Sequence, residues 1–261
     1  MQPAQMNIAT VQVGRRYPDL WITKLASMVA RNLPIAHNFI VYTDRPESKA
    51  LSAALAGHTA EHQTLVIRDV QAGDLRGFFG KLRLFDQALT GTDPFLFLDS
   101  TLVIRASLAP LIAIGRGSSA SVIGVRDWNY PILNSSVLWC RPDAHTQAVW
   151  DAWQQGRYAG TAFPGDQNVI FQVFRDTAPA ALTYWPEGLV SSYKALRKRA
   201  RHDPEAAQRE LAACAILKFH GRPKPEEVLH PWRHPRATIL RHPLHPRLWS
   251  YLADEIRAHW C

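Results

Sequence analysis

The chemistry in this sequence centres on a carboxylate set in an apolar run. Residues 94 to 104, PFLFLDSTLVI, read as a strand that ends on Asp99 and resumes apolar after two further residues. A charge at such a place is costly to bury unless something positive binds beside it, so Asp99 marks a site. The next polar position says what kind. A strand end that holds a hard divalent ion wants a second carboxylate, and this chain has Thr101. A second concentration of chemistry is Phe219-His220-Gly221-Arg222-Pro223-Lys224-Pro225. It follows an apolar stretch and should therefore also open at a strand end. Its prolines stiffen the loop, Gly221 permits close backbone approach, and Arg222 with Lys224 offers two cations, which together make a grip for a diphosphate. His220 has two readings, a metal ligand or a histidine stacked on Phe219 in the core.

Other patterns fail on context. Gly115-Arg-Gly117-Ser-Ser-Ala120 imitates a dinucleotide fingerprint, but a strand follows where a helix should present its N-terminus to pyrophosphate. Gly77-Phe-Phe-Gly80-Lys81 lacks the spacing of a phosphate-cradling loop, and no Gly-x-Ser-x-Gly elbow is present. His230, His234, His242 and His245 are followed directly by Pro231, Pro235, Pro243 and Pro246, which rules out a helical metal pair. Cys140, Cys214 and Cys261 have no Cys-x-x-Cys spacing, so neither a disulfide framework nor a zinc knuckle is expected.

The elements that must position these residues alternate. Asn7 to Val13 reads as a strand, and Leu20, Trp21, Leu25, Met28, Val29 and Leu33 fall at helical spacing until Pro34 stops the pattern. Strands are predicted at Phe39–Thr43, Thr64–Val70 and Phe95–Leu98, with helices at Leu51–Leu55 and Lys81–Leu89. This alternation implies an α/β fold with a mainly parallel central sheet and helices on its flanks. Ligands bind outside the carboxyl ends of such strands, which makes Thr10, Asp44 and Asp99 candidates for one cleft. Farther on, strands are expected at Ala120–Val125, Leu133–Trp139, Leu182–Tyr184 and Ala215–Phe219. Helices are expected at Thr146–Trp153, Asp166–Phe174 and Arg247–His259.

A chain of 261 residues with 47% hydrophobic content can form one large α/β domain. Its formal charge of +8 is concentrated at Lys194, Arg197, Lys198, Arg199 and Arg201 and in the C-terminal quarter. A basic face attracts phosphate or an anionic lipid head group, or is simply a solvated helix face. Tyr193 is the one aromatic beside the cluster, so a stacking platform for nucleic acid is not supported. No leader pattern precedes Met6 and no apolar run approaches 18 residues, which predicts a cytoplasmic protein whose basic tail suits peripheral contact with the anionic inner face of a membrane.

Taken together, NIATVQVGRRYPDLWITKLASMVARNLP, VYTDRP, GKLRLFD, FLFLDST, NSSVLW, GDQNVIF, WPEGLVSSYK and FHGRPKP resemble the bacterial branch of glycosyltransferase family 8. The resemblance runs from residue 6 to about residue 230. It implies the nucleotide-diphospho-sugar transferase (GT-A) fold over 1–229, with 230–261 as a basic, Pro/His-rich extension ending in a helix packed on the same domain. The implied reaction moves a hexose-type sugar from a UDP-sugar to a saccharide or lipid-linked saccharide acceptor, with retention of configuration. By position, the family's metal-binding Asp-x-Asp falls on Asp99, Ser100 and Thr101, its metal-binding histidine on His220 with Gly221 and Arg222 beside it, and its diphosphate lysine on Lys224. The base-cradling positions fall at Thr10 and Val11, with Tyr17 as a stacking partner. Lys81 matches the basic donor contact, Asn134 and Ser135 the Asn-Ser of the sugar wall, and Asp166 with Gln167 the pair beside the transferred sugar. Asp127 and Asp166 are acceptor-side candidates, with turn former and helix N-cap as their plainer readings.

Glycosyl transfer from a nucleoside diphosphate builds negative charge on the leaving phosphate, so cations there stabilise the transition state more than the ground state. The implied cofactor is Mn2+ or Mg2+ on Asp99 and His220. Thr101 leaves that site short of a carboxylate and opens three outcomes: a weakened metal site held mainly by Asp99, His220 and the diphosphate itself, which is the favoured reading; replacement of the metal by Lys81, Arg83, Arg222 and Lys224; or a silent sugar-nucleotide or polysaccharide-binding module.

Overall fold

The computed structural model describes residues 5–15, 17–57, 60–158, 165–233 and 246–260. His234, His242, His245 and Cys261 lie outside them. Strands β1 (Met6–Gln12), β2 (His37–Thr43) and β3 (Gln63–Asp69) alternate with helices α1 (Asp19–Asn32) and α2 (Lys49–Ala56). In α1, Trp21, Ile22, Leu25, Met28 and Val29 form the buried stripe, Asp19 faces the positive helix start, and Leu33 leaves helical geometry one residue before Pro34. Strands β4 (Phe95–Leu98) and β5 (Leu102–Ile104) follow, then α4 (Ala109–Gly117), β6 (Val122–Arg126) and β7 (Leu133–Cys140). Between β3 and β4 stand a 3₁₀ helix at Gly77–Phe85 and the short α3 (Gln87–Thr90). The remaining elements are α5 (Ala144–Gln154), α6 (Asp166–Thr177), β8 (Leu182–Tyr184), β9 (Val190–Ser192), α7 (Tyr193–Ala200), α8 (Pro204–Ala213), β10 (Ile216–Lys218), α9 (Pro225–Leu229) and α10 (Pro246–His259).

Seven strands form one sheet in the order β3-β2-β1-β4-β7-β6-β8, in which β7 alone runs antiparallel to its neighbours. Chain order grows away from β1 on one side and resumes with β4 on the other. The crevice outside the ends of β1 and β4 is therefore the switch point where such sheets bind ligands. A second sheet, β5-β10-β9, has β10 in the middle, antiparallel to β5 and parallel to β9.

The structure departs from the sequence reading in instructive places. Residues 94 to 104 are two strands in two different sheets, and Asp99-Ser100-Thr101 is the link between them. The amide of Asp99 still donates to Ser136 O at 2.9 Å, after which the chain turns into β5. The segment read as one helix over Lys81–Leu89 is a 3₁₀ helix and a separate short turn capped by Asp86, because residues 80 to 85 are buried all round instead of along one stripe. Gly115 and Gly117, the false fingerprint, end α4. A Cβ on Gly115 would stand 2.2 Å from the ring of buried Trp139, so this glycine serves packing. The basic run from Lys194 forms α7, whose Leu196, Arg197 and Ala200 are buried while Lys198 and Arg199 face solvent. Helix α10 lies against the first half of the chain: Trp260 meets Trp21 edge-on at 6.1 Å, and Glu255 pairs with Arg105 at 2.5 Å.

Candidate active site

One cleft opens at the switch point. The end of β1 contributes Val11, Gln12 and Val13, the 3₁₀ segment contributes Phe78 and Lys81, and the β4–β5 link contributes Asp99, Ser100 and Thr101. The start of β7 adds Asn134 and Ser135, the N-terminus of α6 adds Asp166 and Gln167, and the end of β10 with its loop adds Lys218, His220, Gly221 and Lys224. Tyr17 closes the wall near Lys224, whose Nζ stands 5.4 Å from the tyrosine ring centre. The 3₁₀ segment reaches the sheet because position 80 is glycine; a Cβ there would sit 2.5 Å from Val13 Cγ2.

Four candidates stand apart from this cleft. Thr10 is fully buried beneath it, since neighbours on a strand face opposite ways and Val11 takes the cleft side. Asp44 accepts from the Gly14 amide at 2.9 Å and borders a different depression. Arg222 is exposed and pairs with Glu227 at 3.0 Å. Asp127 accepts from the amides of Asn129 and Tyr130 at 2.9 and 3.2 Å and from Asn134 Nδ2 at 2.9 Å, so its geometry is that of a turn former that also steadies Asn134.

The floor of the cleft is a charge cluster. Lys81 Nζ is buried and lies 2.8 Å from Asp166 Oδ2, 3.4 Å from Asp99 Oδ1, and 3.0 Å from both the carbonyl and the hydroxyl oxygen of Ser135. The Ser135 hydroxyl donates in turn to Asp166 Oδ2 at 2.5 Å. Asp99 receives a second ammonium on its other oxygen: Lys218 Nζ donates to Asp99 Oδ2 at 2.5 Å and to Thr101 Oγ1 at 2.8 Å. Burial alone would raise the Asp99 pKa, but Lys218 and Lys81 hold its carboxyl below the usual range. For Lys81 burial works against the charge, yet Asp166 and Asp99 hold its pKa up. For Lys218 burial outweighs the help from Asp99 and pulls its pKa down.

Lys218 escaped the sequence reading although the signal was present. Lysine in the apolar run Ala215 to Phe219 poses the same question as Asp99 in its own run, and the two answer each other.

His220 stacks on Trp128 with ring centres 5.8 Å apart, its Nδ1 lies 3.3 Å from Ser192 Oγ, and Phe219 stacks instead on Tyr193. Burial, then Lys194 and Lys218, push the imidazole pKa down from 6.5 to about 4. The unfolded chain thus takes up the proton first on acidification, and stability is expected to fall as pH drops from 6.5 towards about 4. Urea titrations on either side of that window should show the decline, and His220→Gln should flatten it. An unchanged slope in the variant would remove His220 as its source.

A divalent ion suits these residues poorly. Hard cations take several oxygen ligands that carry negative charge. Here both oxygens of Asp99 face ammonium groups, Thr101 accepts from one of these, and His220 stands among Lys194, Lys218 and Lys224. Among the described residues no group of three His, Cys, Asp or Glu side chains is placed to hold a metal ion.

Two grooves adjoin the cleft. One continues past Asp166 and Gln167 and is walled by Phe78 and Tyr130, each 48% exposed. The other begins at His220 and Trp128 and is lined by Lys194, Arg197, Lys198 and Arg201 of the α7 region. Among the described residues no helix is long and apolar enough to cross a membrane.

No protein-family model matches the sequence, and no curated protein matches it in sequence. Solved structures do match its fold. The galactosyltransferase LgtC, solved with donor and acceptor sugar analogues, aligns with a TM-score of 0.62 at 15% identity over 97% of this chain and 96% of that one. Glycosyltransferase GlyE of Streptococcus pneumoniae TIGR4 aligns at 0.63 and 14% identity over 99% of this chain and 62% of its own. Mouse xyloside xylosyltransferase 1 aligns at 0.54 and 12% identity over 84% of this chain and 98% of its own. At such identities the likeness is one of fold. The chain is a mixed α/β protein, as its alternating strands and helices imply, with the GT-A fold of these glycosyltransferases, as the resemblance implies.

Proposed function

We propose that this protein is a glycosyltransferase of the family 8 type. It moves a hexose-type sugar, with retention, from a nucleoside diphosphate sugar carried on UDP to a saccharide or lipid-linked saccharide. The observation that carries this reading is a cation-lined cleft at the switch point joined through Asp166 and Gln167 to a groove with two exposed aromatic rings. Sugars present flat C–H faces that pack on aromatic rings, and diphosphates seek ammonium groups.

In this reading the base lies against Val11 and Tyr17. Gln12 lines the same wall, and its Nε2 donates to Tyr17 O and to Asp19 Oδ1, both at 3.1 Å, which fixes the side chain there. The diphosphate extends towards Lys218 and Lys224, and the sugar rests by Asn134, Ser135 and Gln167. The bond from C1 to the diphosphate oxygen breaks with its electron pair left on the phosphate, the acceptor hydroxyl oxygen bonds C1 from the same face, and its proton passes to the leaving phosphate. Lys81 and Ser135 both engage Asp166 through its Oδ2, which fits a positioning role for this carboxylate. Gln167 is the polar neighbour left beside C1. A lipid-linked acceptor would be presented by an anionic membrane surface, to which Lys198 and Arg201 offer exposed charge.

The test is a thermal-shift panel of nucleotides and sugar nucleotides. UDP and one UDP-hexose are expected to stabilise the protein, by about 2.7 kcal/mol at a hundredfold excess over Kd. If no nucleotide shifts the melt, the reading fails. Gln167→Ala is expected to slow transfer on the order of 100-fold with UDP affinity nearly intact, because it removes a contact that matters in the transition state. Equal loss of both would make Gln167 structural. Thr101 favours one other reading, a silent sugar-nucleotide-binding module. That reading predicts the same melts with no turnover of any bound sugar nucleotide.

A further inference from the structure

Lys218 is held where it is by backbone, not by chance of rotamer. In the ladder of the small sheet it is paired with Leu102 on one side and Ser192 on the other, and the next amide, Phe219 N, donates to Thr101 O at 3.1 Å. Its side chain is 7% exposed yet lines the cleft. An ammonium has three N–H groups. Asp99 and Thr101 take two of those on Lys218, and one remains for a ligand. Lys81 differs, because Asp166, Asp99 and both Ser135 oxygens already surround it.

We propose that the Lys218 ammonium takes the place of a divalent ion in this site: bridging Asp99 and Thr101, it binds the donor's diphosphate directly, so that donor binding needs no metal. The inference rests on the reading of the cleft as a nucleoside diphosphate site.

Charge and chemistry agree with the substitution. Compared with two carboxylates holding a divalent ion, a site that loses one carboxylate and the ion and gains one ammonium keeps the same local charge. Thr101 fits that exchange, since its hydroxyl accepts from Lys218 without cancelling the positive charge. A second carboxylate there would. An ammonium is a compact point charge suited to phosphate oxygens. As the C1–O bond breaks and its electron pair settles on the diphosphate, the Lys218 N–H strengthens its hydrogen bond to the oxygen that gains charge and keeps its proton.

The experiment is calorimetric titration of UDP and UMP into the full chain, once in EDTA and once in MnCl2. UDP affinity is expected to be the same within about threefold in the two buffers, and Lys218→Met to weaken UDP on the order of 100-fold while UMP changes little. A lysine that merely supported the fold would weaken both nucleotides alike, so a parallel loss overturns the proposal. UDP binding that appears only with Mn2+ also overturns it while leaving the glycosyltransferase reading intact. If neither nucleotide binds in either buffer, the reading of the cleft falls, and the proposal with it. Should Lys218→Met fail to fold, the EDTA and MnCl2 titrations of the unaltered protein decide alone.

Discussion

Lys81→Met is expected to destabilise the protein by about 3–5 kcal/mol, the range found when one partner of a buried ion pair is removed. The Lys81 and Asp166 side chains are 6% and 9% exposed. Methionine fills most of the space but leaves Asp166 with the Ser135 hydroxyl as its remaining donor of those described here, and leaves Asp99 to Lys218 alone. For a chain of this size the melting temperature should fall by about 10 °C. Much of that loss is the cost of a stranded carboxylate, so Lys81→Met combined with Asp166→Asn should be more stable than Lys81→Met alone. Thermal and urea melts of the two singles and the double measure the coupling. A single variant within about 1 kcal/mol of the parent would show that the buried cluster carries little stability.

Legibility from sequence followed burial and period. β1, α1 and β2 were readable because an apolar strand, an amphipathic stripe and a proline stop each leave a local mark. Asp99 was readable for the opposite reason, as a charge that breaks such a pattern. The same logic applied to Lys218 would have paired the two, but the pairing joins residues 119 positions apart and depends on two sheets meeting at the Asp99–Thr101 link. No local pattern encodes that meeting. Thr10 and Val11 show a finer limit: the strand was placed correctly, yet which of two neighbours faces the cleft depends on which face the sheet buries, and that is fixed by its partners. Arg222 has the charge and the loop of a diphosphate contact, but Glu227 claims it, a local competition that charge along the sequence does not reveal. The 3₁₀ segment reads as a regular helix because helical period presumes one buried face, whereas Gly80 to Phe85 have none to spare for solvent.

Asp99→Asn is the variant that sets the two accounts of this cleft furthest apart. If Asp99 serves chiefly to hold a divalent ion, the amide loses the ion and UDP affinity with it. In the structure the carboxylate faces two ammonium groups instead, at 3.4 Å from Lys81 and 2.5 Å from Lys218. The amide oxygen can still accept from Lys218, but one of two negative charges that compensate two positive ones is gone. The expected result has two parts. Without ligand the protein loses roughly 3 kcal/mol, discounted towards 2 because the Asp99 side chain is 29% exposed and water screens part of the pairing. The loss should also be pH-dependent. The folded carboxyl titrates below its ordinary range, so the parent's advantage is present at neutral pH and disappears as acid protonates Asp99 through its folded pKa. With ligand the order reverses: a diphosphate supplies the missing negative charge, and the stabilisation by UDP in EDTA should be larger for Asp99→Asn than for the parent protein. Melting curves of both proteins with and without UDP, in EDTA and in MnCl2, read this out directly. A UDP shift that appears only with Mn2+, and only in the parent, would place Asp99 with a divalent ion, not Lys218, in charge of the diphosphate.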